Sequence, residues 1–360
     1  MLGYNYSVGT SGPILTRSLV LNTTPYGTGG GVWMGGGGLV AADATVGGTT
    51  SNYIFASTGQ GTFDSAENNF ADSLLRLNPA SLNISDYFTP ADEFTYSSGT
   101  GRCAKDMDLN SYGLIALPDE TQPLMSAHPH LIVAADKEAK LYVVDRDDLT
   151  EYNPPTDLIV QEIQTPPQAI DTNVRGYWGY PAYYEWTDHQ GTHRALYYSV
   201  RANATSAPPL PINQYMLTST GPIPAWSSAI STPEFYCFYG AAPSVSSNGT
   251  ADGILWTIEA TNNQNPAPNG TYSCPGDPTE PDTDFTYIAI HAYDATNIST
   301  EPYNGRLHNT NPATGYPVTF GTPTIFNGKV FAGARDVTNT SGIVDVWGLC
   351  SETPSHTCIE

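Results

Sequence analysis

Apolar residues in this chain come in short runs separated by polar turns. The runs are β-branched or aromatic: Asn52–Ala56, His130–Ala134, Leu141–Asp145 and Arg194–Val200. No long stretch places apolar residues at i, i+3, i+4 and i+7, so no amphipathic helix is expected. Short runs of this kind, bounded by Gly, Pro, Asn and Asp, read as strands joined by turns.

The strands recur in groups. One group runs from Gly35–Ala42 through Tyr53–Ala56 to Leu74–Asn78, and the next from Gly113–Leu117 through His130–Ala134 to Leu141–Asp145. A third joins Gly179–Tyr183, Ala195–Ser199 and Gln214–Leu217. A fourth joins Gly240–Ser244, Gly253–Trp256 and Ala289–Asp294. The last joins Gly321–Ile325, Gly328–Gly333 and Val344–Leu349. Three or four strands per repeat is the pattern of a β-propeller. The fold expected is therefore all-β, with four-stranded antiparallel blades. About five blades are read, at approximately 25–85, 86–150, 157–219, 236–300 and 316–349, within a propeller region of 25–350. Residues 1–24 read as the tail of a preceding blade and 351–360 as a C-terminal tail. The expectation is thus an N-terminally incomplete part of a larger ring of seven or eight blades. Each repeat averages roughly 72 residues against ~40–50 for compact blades. The excess falls in Pro-, Asn- and Thr-rich connections at 150–175 and 262–284.

Composition narrows the function classes. Only 13% of residues are charged, yet the formal net charge is -22. Nucleic acid is excluded as a partner, because its phosphates would be repelled. No run approaches 18 apolar residues, so no transmembrane helix is expected. Eight Asn-x-Ser/Thr sequons occur, at Asn5, Asn22, Asn83, Asn203, Asn248, Asn269, Asn297 and Asn339, with Pro25 directly after the Asn22 sequon. They point to a secreted, extracellular glycoprotein. Met1–Thr10 carries neither the basic region nor the apolar core of a signal peptide. Either a leader has been removed or residues precede Met1.

The five cysteines make no C-x-x-C pair, which argues against zinc. Two disulfides are expected, Cys350–Cys358 and Cys237–Cys274, leaving Cys103 to pair with a residue before Met1. His128-Pro-His130 and the acidic loop of Asp64, Glu67, Asn68, Asn69 and Asp72 are weak metal candidates; the loop lacks EF-hand spacing.

Several segments in order resemble a known superfamily. They are Gly29–Met34, Thr58–Asp64, Asn68–Pro79, Phe88–Phe94 and Leu131–Arg146. Together they are similar to the quinoprotein alcohol dehydrogenase-like propellers, which bind pyrroloquinoline quinone (PQQ), and more narrowly to a secreted branch of PQQ-like repeat proteins. The detailed likeness covers roughly residues 25–190. The resemblance implies that Trp33 forms the floor under a quinone, where a flat indole gives stacking area. It implies that Gln60 stands where the family has a calcium-ligating Asn; its amide oxygen suits a hard cation, but the side chain is one methylene longer. It implies that Asp106 or Asp108 is the catalytic carboxylate, and that Lys137 hydrogen-bonds the quinone oxygens. Trp178, in the aromatic run Tyr177–Trp186, is a further candidate for stacking on a cofactor or a sugar. The family's calcium-binding Glu and adjacent-cysteine disulfide would lie before residue 1, and the haem motif C-x-x-C-H is absent.

Two functions follow. The favoured one is a non-enzymatic binding or surface-structural protein with a carbohydrate or small-molecule ligand, completed by a partner chain or by missing N-terminal blades. The rival is a PQQ- and Ca2+-dependent alcohol or sugar oxidoreductase with a degenerate site.

Overall fold

The computed structural model describes residues 1–93, 107–110, 112–119, 127–165, 177–199, 201–202, 210–218, 225–236, 242–261, 287–305, 315–316, 318, 321–336 and 341–348. All five cysteines, and with them both expected disulfides, lie outside these residues, as do Asp106, Asn203, Asn269 and Asn339. Among the described residues no helix is long and apolar enough to cross a membrane.

The chain divides into two compact units, Met1–Gln164 and Thr165–Glu360. The first opens with a hairpin of β1 (Leu2–Gly9) and β2 (Gly12–Val20), closed where Gly9 pairs with Gly12 at a φ of 114° that a side chain would strain. Next come β3 (Val40–Val46) and β4 (Thr49–Ser57), joined by Gly47 and Gly48, both at positive φ as a two-residue hairpin turn requires. A small hairpin of β5 (Phe63–Asp64) and β6 (Asn69–Phe70) follows, around the 3-10 turn Ser65–Glu67. The chain re-enters the sheet as β7 (Leu74–Leu77) and β8 (Ile84–Phe88), giving the antiparallel order β3-β4-β7-β8.

A second sheet takes β9 (Ile115–Ala116), β10 (Leu131–Ala135), β11 (Lys140–Asp145) and β12 (Gln161–Gln164) in sequence order. All five residues of β10 are buried, which explains why it reads as a continuous apolar run rather than an alternation. Phe55, Leu74 and Phe88 of the first sheet share one hydrophobic cluster with Ile132, Ala134, Tyr142 and Val144 of the second.

The second unit contains the two-residue pair β13 (Tyr177–Trp178) and β16 (Arg201–Ala202), and two more four-stranded antiparallel sheets. One is β14 (Ala182–Asp188), β15 (Gly191–Tyr198), β17 (Asn213–Thr218) and β18 (Ala225–Ser231). The other is β19 (Ser244–Asn248), β20 (Ala251–Thr261), β21 (Tyr287–Asp294) and β22 (Tyr303–Asn304). Their shared core is aromatic: Tyr184, Trp186, Tyr197, Tyr236 and Tyr293 pack with Leu255. The Tyr236 and Tyr293 hydroxyls bond each other at 2.6 Å, so neither enters the core unpaired. A three-stranded sheet of β23 (Thr324–Phe326), β24 (Lys329–Arg335) and β25 (Gly342–Gly348) ends the described chain. The protein is thus all-β, and its several four-stranded antiparallel meanders are consistent with propeller blades.

Candidate functional site

The glycine-rich segment before β3 is pinned to the connection that follows β4. Gly30 N–H donates to the Gln60 carbonyl at 2.8 Å, Gly59 N–H to that of Gly31 at 2.9 Å, and Thr62 N–H to that of Thr28 at 2.8 Å. Gly29 and Gly61 face each other in this ladder. Glycine is required at both: a Cβ on Gly61 would collide with backbone atoms of Thr28 and Gly30, and one on Gly29 with the Gln60 carbonyl. Trp33 leaves this clamp with 40% of its surface exposed.

Beneath Trp33 lies a buried ion pair. The Lys137 ammonium is 2.5 Å from Asp108 Oδ2 and 4.8 Å from the centre of the Trp33 ring, within cation–π range. Lys137 is 1% exposed and Asp108 2%. Gln60 N–H donates to Asp108 Oδ1 at 2.6 Å, and Lys137 N–H donates to the Asp108 carbonyl at 3.2 Å. Next along the chain, Leu109 N–H donates to the Asp72 carboxylate, and Asp72 N–H returns to the Gly59 carbonyl at 2.9 Å. Two charges taken out of water are tolerated only when each meets the other and the remaining lone pairs find donors. Asp108 faces Lys137 through Oδ2 and the Gln60 amide through Oδ1.

The β10–β11 turn holds Lys137 in this inward position. Asp136 Oδ1 accepts from the N–H groups of Glu138 and Lys140, both at 2.9 Å, and Oδ2 accepts from the Tyr142 hydroxyl at 2.8 Å. An aspartate that bonds its own turn fixes the backbone locally.

Of the residues singled out from sequence, Trp33, Gln60, Asp108 and Lys137 therefore come together in the first unit, Gln60 through its backbone. Asp106 lies outside the described residues. Trp178 sits in β13 of the second unit, paired across the strand with Arg201. His128 and His130 do not converge on one point: each bonds its own carboxylate, Asp145 at 2.7 Å and Asp147 at 2.8 Å. In the acidic loop, Asp64 caps the 3-10 turn by accepting from Ala66 and Glu67 N–H, while Asp72 reaches inward to Leu109.

These residues do not fit a calcium ion. One oxygen of Asp108 faces an amide and the other an ammonium, and Asp72 is engaged by Leu109. Among the described residues, no three His, Cys, Asp or Glu side chains are arranged to hold a metal.

Sequence reasoning missed a second buried polar cluster. His291, fully buried on β21, faces Glu301 through Nδ1 at 2.7 Å and Glu259 through Nε2 at 2.9 Å. The signal was present: Glu259 and His291 each stand between apolar neighbours inside a strand run, at Ile258–Ala260 and Ile290–Ala292.

No family model matches the sequence, and no curated protein matches it. A solved structure does. The chain is similar to the quinohemoprotein alcohol dehydrogenase ADHIIG from Pseudomonas putida HK5, with a TM-score of 0.37 and 11% identity. The alignment covers 78% of this chain and 42% of that one, so the chain spans less than half the dehydrogenase's length.

Proposed function

We propose that the chain is a secreted, non-enzymatic binding protein made of PQQ-like β-propeller blades, about five of them, forming part of a larger ring. The four-stranded meanders and the motif order from Gly29 to Arg146 support the architecture. The buried Asp108–Lys137 pair carries the functional reading. A dehydrogenase of this type needs a carboxylate that reaches a substrate hydroxyl and a cation that reaches the quinone. Here the two groups face each other at 2.5 Å with 1–2% exposure. What remains open to solvent is aromatic and apolar surface on the same segment: Trp33, Val32 at 38% and Tyr26 at 78% exposure. Such a surface suits the apolar face of a sugar or another small planar ligand.

Titration with pyrroloquinoline quinone, with and without calcium, tests the reading. Absorbance is followed together with dye reduction in the presence of simple alcohols and sugars. No calcium-dependent spectral change and no dye reduction are expected. Alcohol-dependent dye reduction that disappears in Asp108→Asn would overturn the proposal in favour of a working oxidoreductase.

A further inference from the structure

Resting on the secreted reading above, we infer that three asparagines carry N-linked oligosaccharides: Asn83, at the end of the first sheet opposite the strand connection that builds the candidate site, and Asn248 and Asn297, at the end of their own sheet that carries the β19–β20 turn and the β21–β22 link. A glycan is bulky and solvated, so its asparagine must stand in solvent in the finished fold. The described sequon asparagines meet this condition: Asn5, Asn22, Asn83, Asn248 and Asn297 are all exposed. Exposure does not itself mark a sequon, since Asn52, Asn68, Asn78 and Asn327 are exposed outside one, but the buried Asn69, Asn110 and Asn304 lie in none.

Topology then separates the three. In the first sheet the β3–β4 turn and the β7–β8 turn share one end, and the β4–β7 connection leaves from the other. Thr58–Gly61 and Asp72 lie in that connection, whereas Asn83 closes the β7–β8 turn. Its carbonyl accepts from Asn78 N–H at 2.9 Å. The β19–β22 sheet repeats the arrangement. Asn248 sits at the β19–β20 turn and Asn297 in the β21–β22 link. The two turns are tied together by Ala295 N–H donating to the Gly253 carbonyl at 3.0 Å. Asn297 presents its sequon already folded back, with Oδ1 accepting from Ser299 N–H at 3.2 Å and Ser299 Oγ at 2.7 Å. Asn22 differs. Its Oδ1 accepts from Thr24 N–H, and buried Thr24 bonds the Gly29 carbonyl at 2.9 Å, beside the clamp that carries Trp33.

The transfer joins Asn Nδ2 to C1 of an oligosaccharide donated by a polyprenyl diphosphate. The C1–O bond to the diphosphate breaks, the polyprenyl diphosphate leaves, and Nδ2 gives up one proton.

The full chain, fused to a supplied leader, is produced in a eukaryotic secretory host and collected from the medium. Peptide-N-glycosidase treatment in 18O water should mark Asn83, Asn248 and Asn297 by mass spectrometry. Asn83→Gln, Asn248→Gln and Asn297→Gln should each remove one mobility step. Ser85→Ala, Thr250→Ala and Ser299→Ala, which keep the asparagine, should do the same. Unmarked asparagines at these three sites in exported protein, or an oligosaccharide on Asn22 in their place, would overturn the inference. Because the leader is supplied, this outcome is separate from the native destination, which is read by whether the unfused chain reaches the medium of its source cells.

Discussion

Lys137 shows how far a single residue can be read. The stretch Asp136-Lys-Glu-Ala-Lys has the composition of a solvated turn, yet Asp136, Lys137, Glu138 and Ala139 are all buried. Nothing local announces this, because what covers Lys137 comes from Trp33 and Asp108, distant in sequence. Only the resemblance to a family placed Lys137 at a site. His291 is the converse case: its setting among apolar strand residues marks it as inward, but its partners Glu259 and Glu301 come from other segments and had to be seen. The ion pair makes a definite prediction. Lys137→Met leaves Asp108 charged and buried without its partner, and should destabilise the first unit by about 3–5 kcal/mol. The double variant Asp108→Leu with Lys137→Met removes both charges and should recover much of that loss. Hydrogen exchange at amides of β4, β7, β10 and β11 in increasing urea measures both. Equal losses in the single and double variants would mean that the pair is not what holds this region.

Strands were legible wherever local chemistry defines them. The apolar runs at Leu131 and Leu141 became β10 and β11. The repeat placed β4 and β7 in one group, and they pair across the β5–β6 hairpin. That hairpin was not read, nor was β8, which the expected blade boundary at 85 cuts and whose contacts no local pattern encodes. One of those contacts titrates. Asp86 on β8 faces Arg76 on β7 at 3.2 Å and accepts from Leu149 and Tyr87 N–H, each at 2.9 Å. Burial nevertheless outweighs these partners and pushes its carboxyl above the ordinary 3.8. A carboxyl whose folded pKa exceeds its unfolded one binds its proton more tightly when folded. Its contribution is therefore full below about 3.8 and is lost as pH rises through the folded value. Asp86→Asn carries no such titration. Thermal midpoints measured from neutral pH down into the carboxylate range should show the wild type gaining on Asp86→Asn as pH falls. A difference that stays constant, or grows the other way, would contradict the assignment.

At the scale of the whole molecule, strand alternation and turn chemistry are enough to give an all-β chain of antiparallel sheets, because both are local. How many sheets act together is a question of long-range packing. The buried clusters answer it in part. Phe55, Leu74, Phe88 and Tyr142 close one core within Met1–Gln164, and Tyr184, Trp186, Tyr197 and Tyr293 close another within Thr165–Glu360. When each unit completes its own core, cooperativity should be confined to the unit, and one free energy for the chain is not defined. The chain should then unfold in two steps that different variants move separately. Lys137→Met should shift only the step reported by amides of β4, β7, β10 and β11. Tyr236→Phe removes the hydroxyl that faces Tyr293 at 2.6 Å, leaves the buried Tyr293 hydroxyl without that partner, and should cost about 1–3 kcal/mol. Its shift should appear only in amides of β15, β20 and β21. Hydrogen exchange at increasing denaturant resolves the two sets. If either variant moved both sets by the same amount, the two cores would be one cooperative structure and the division at Gln164 would have no energetic meaning.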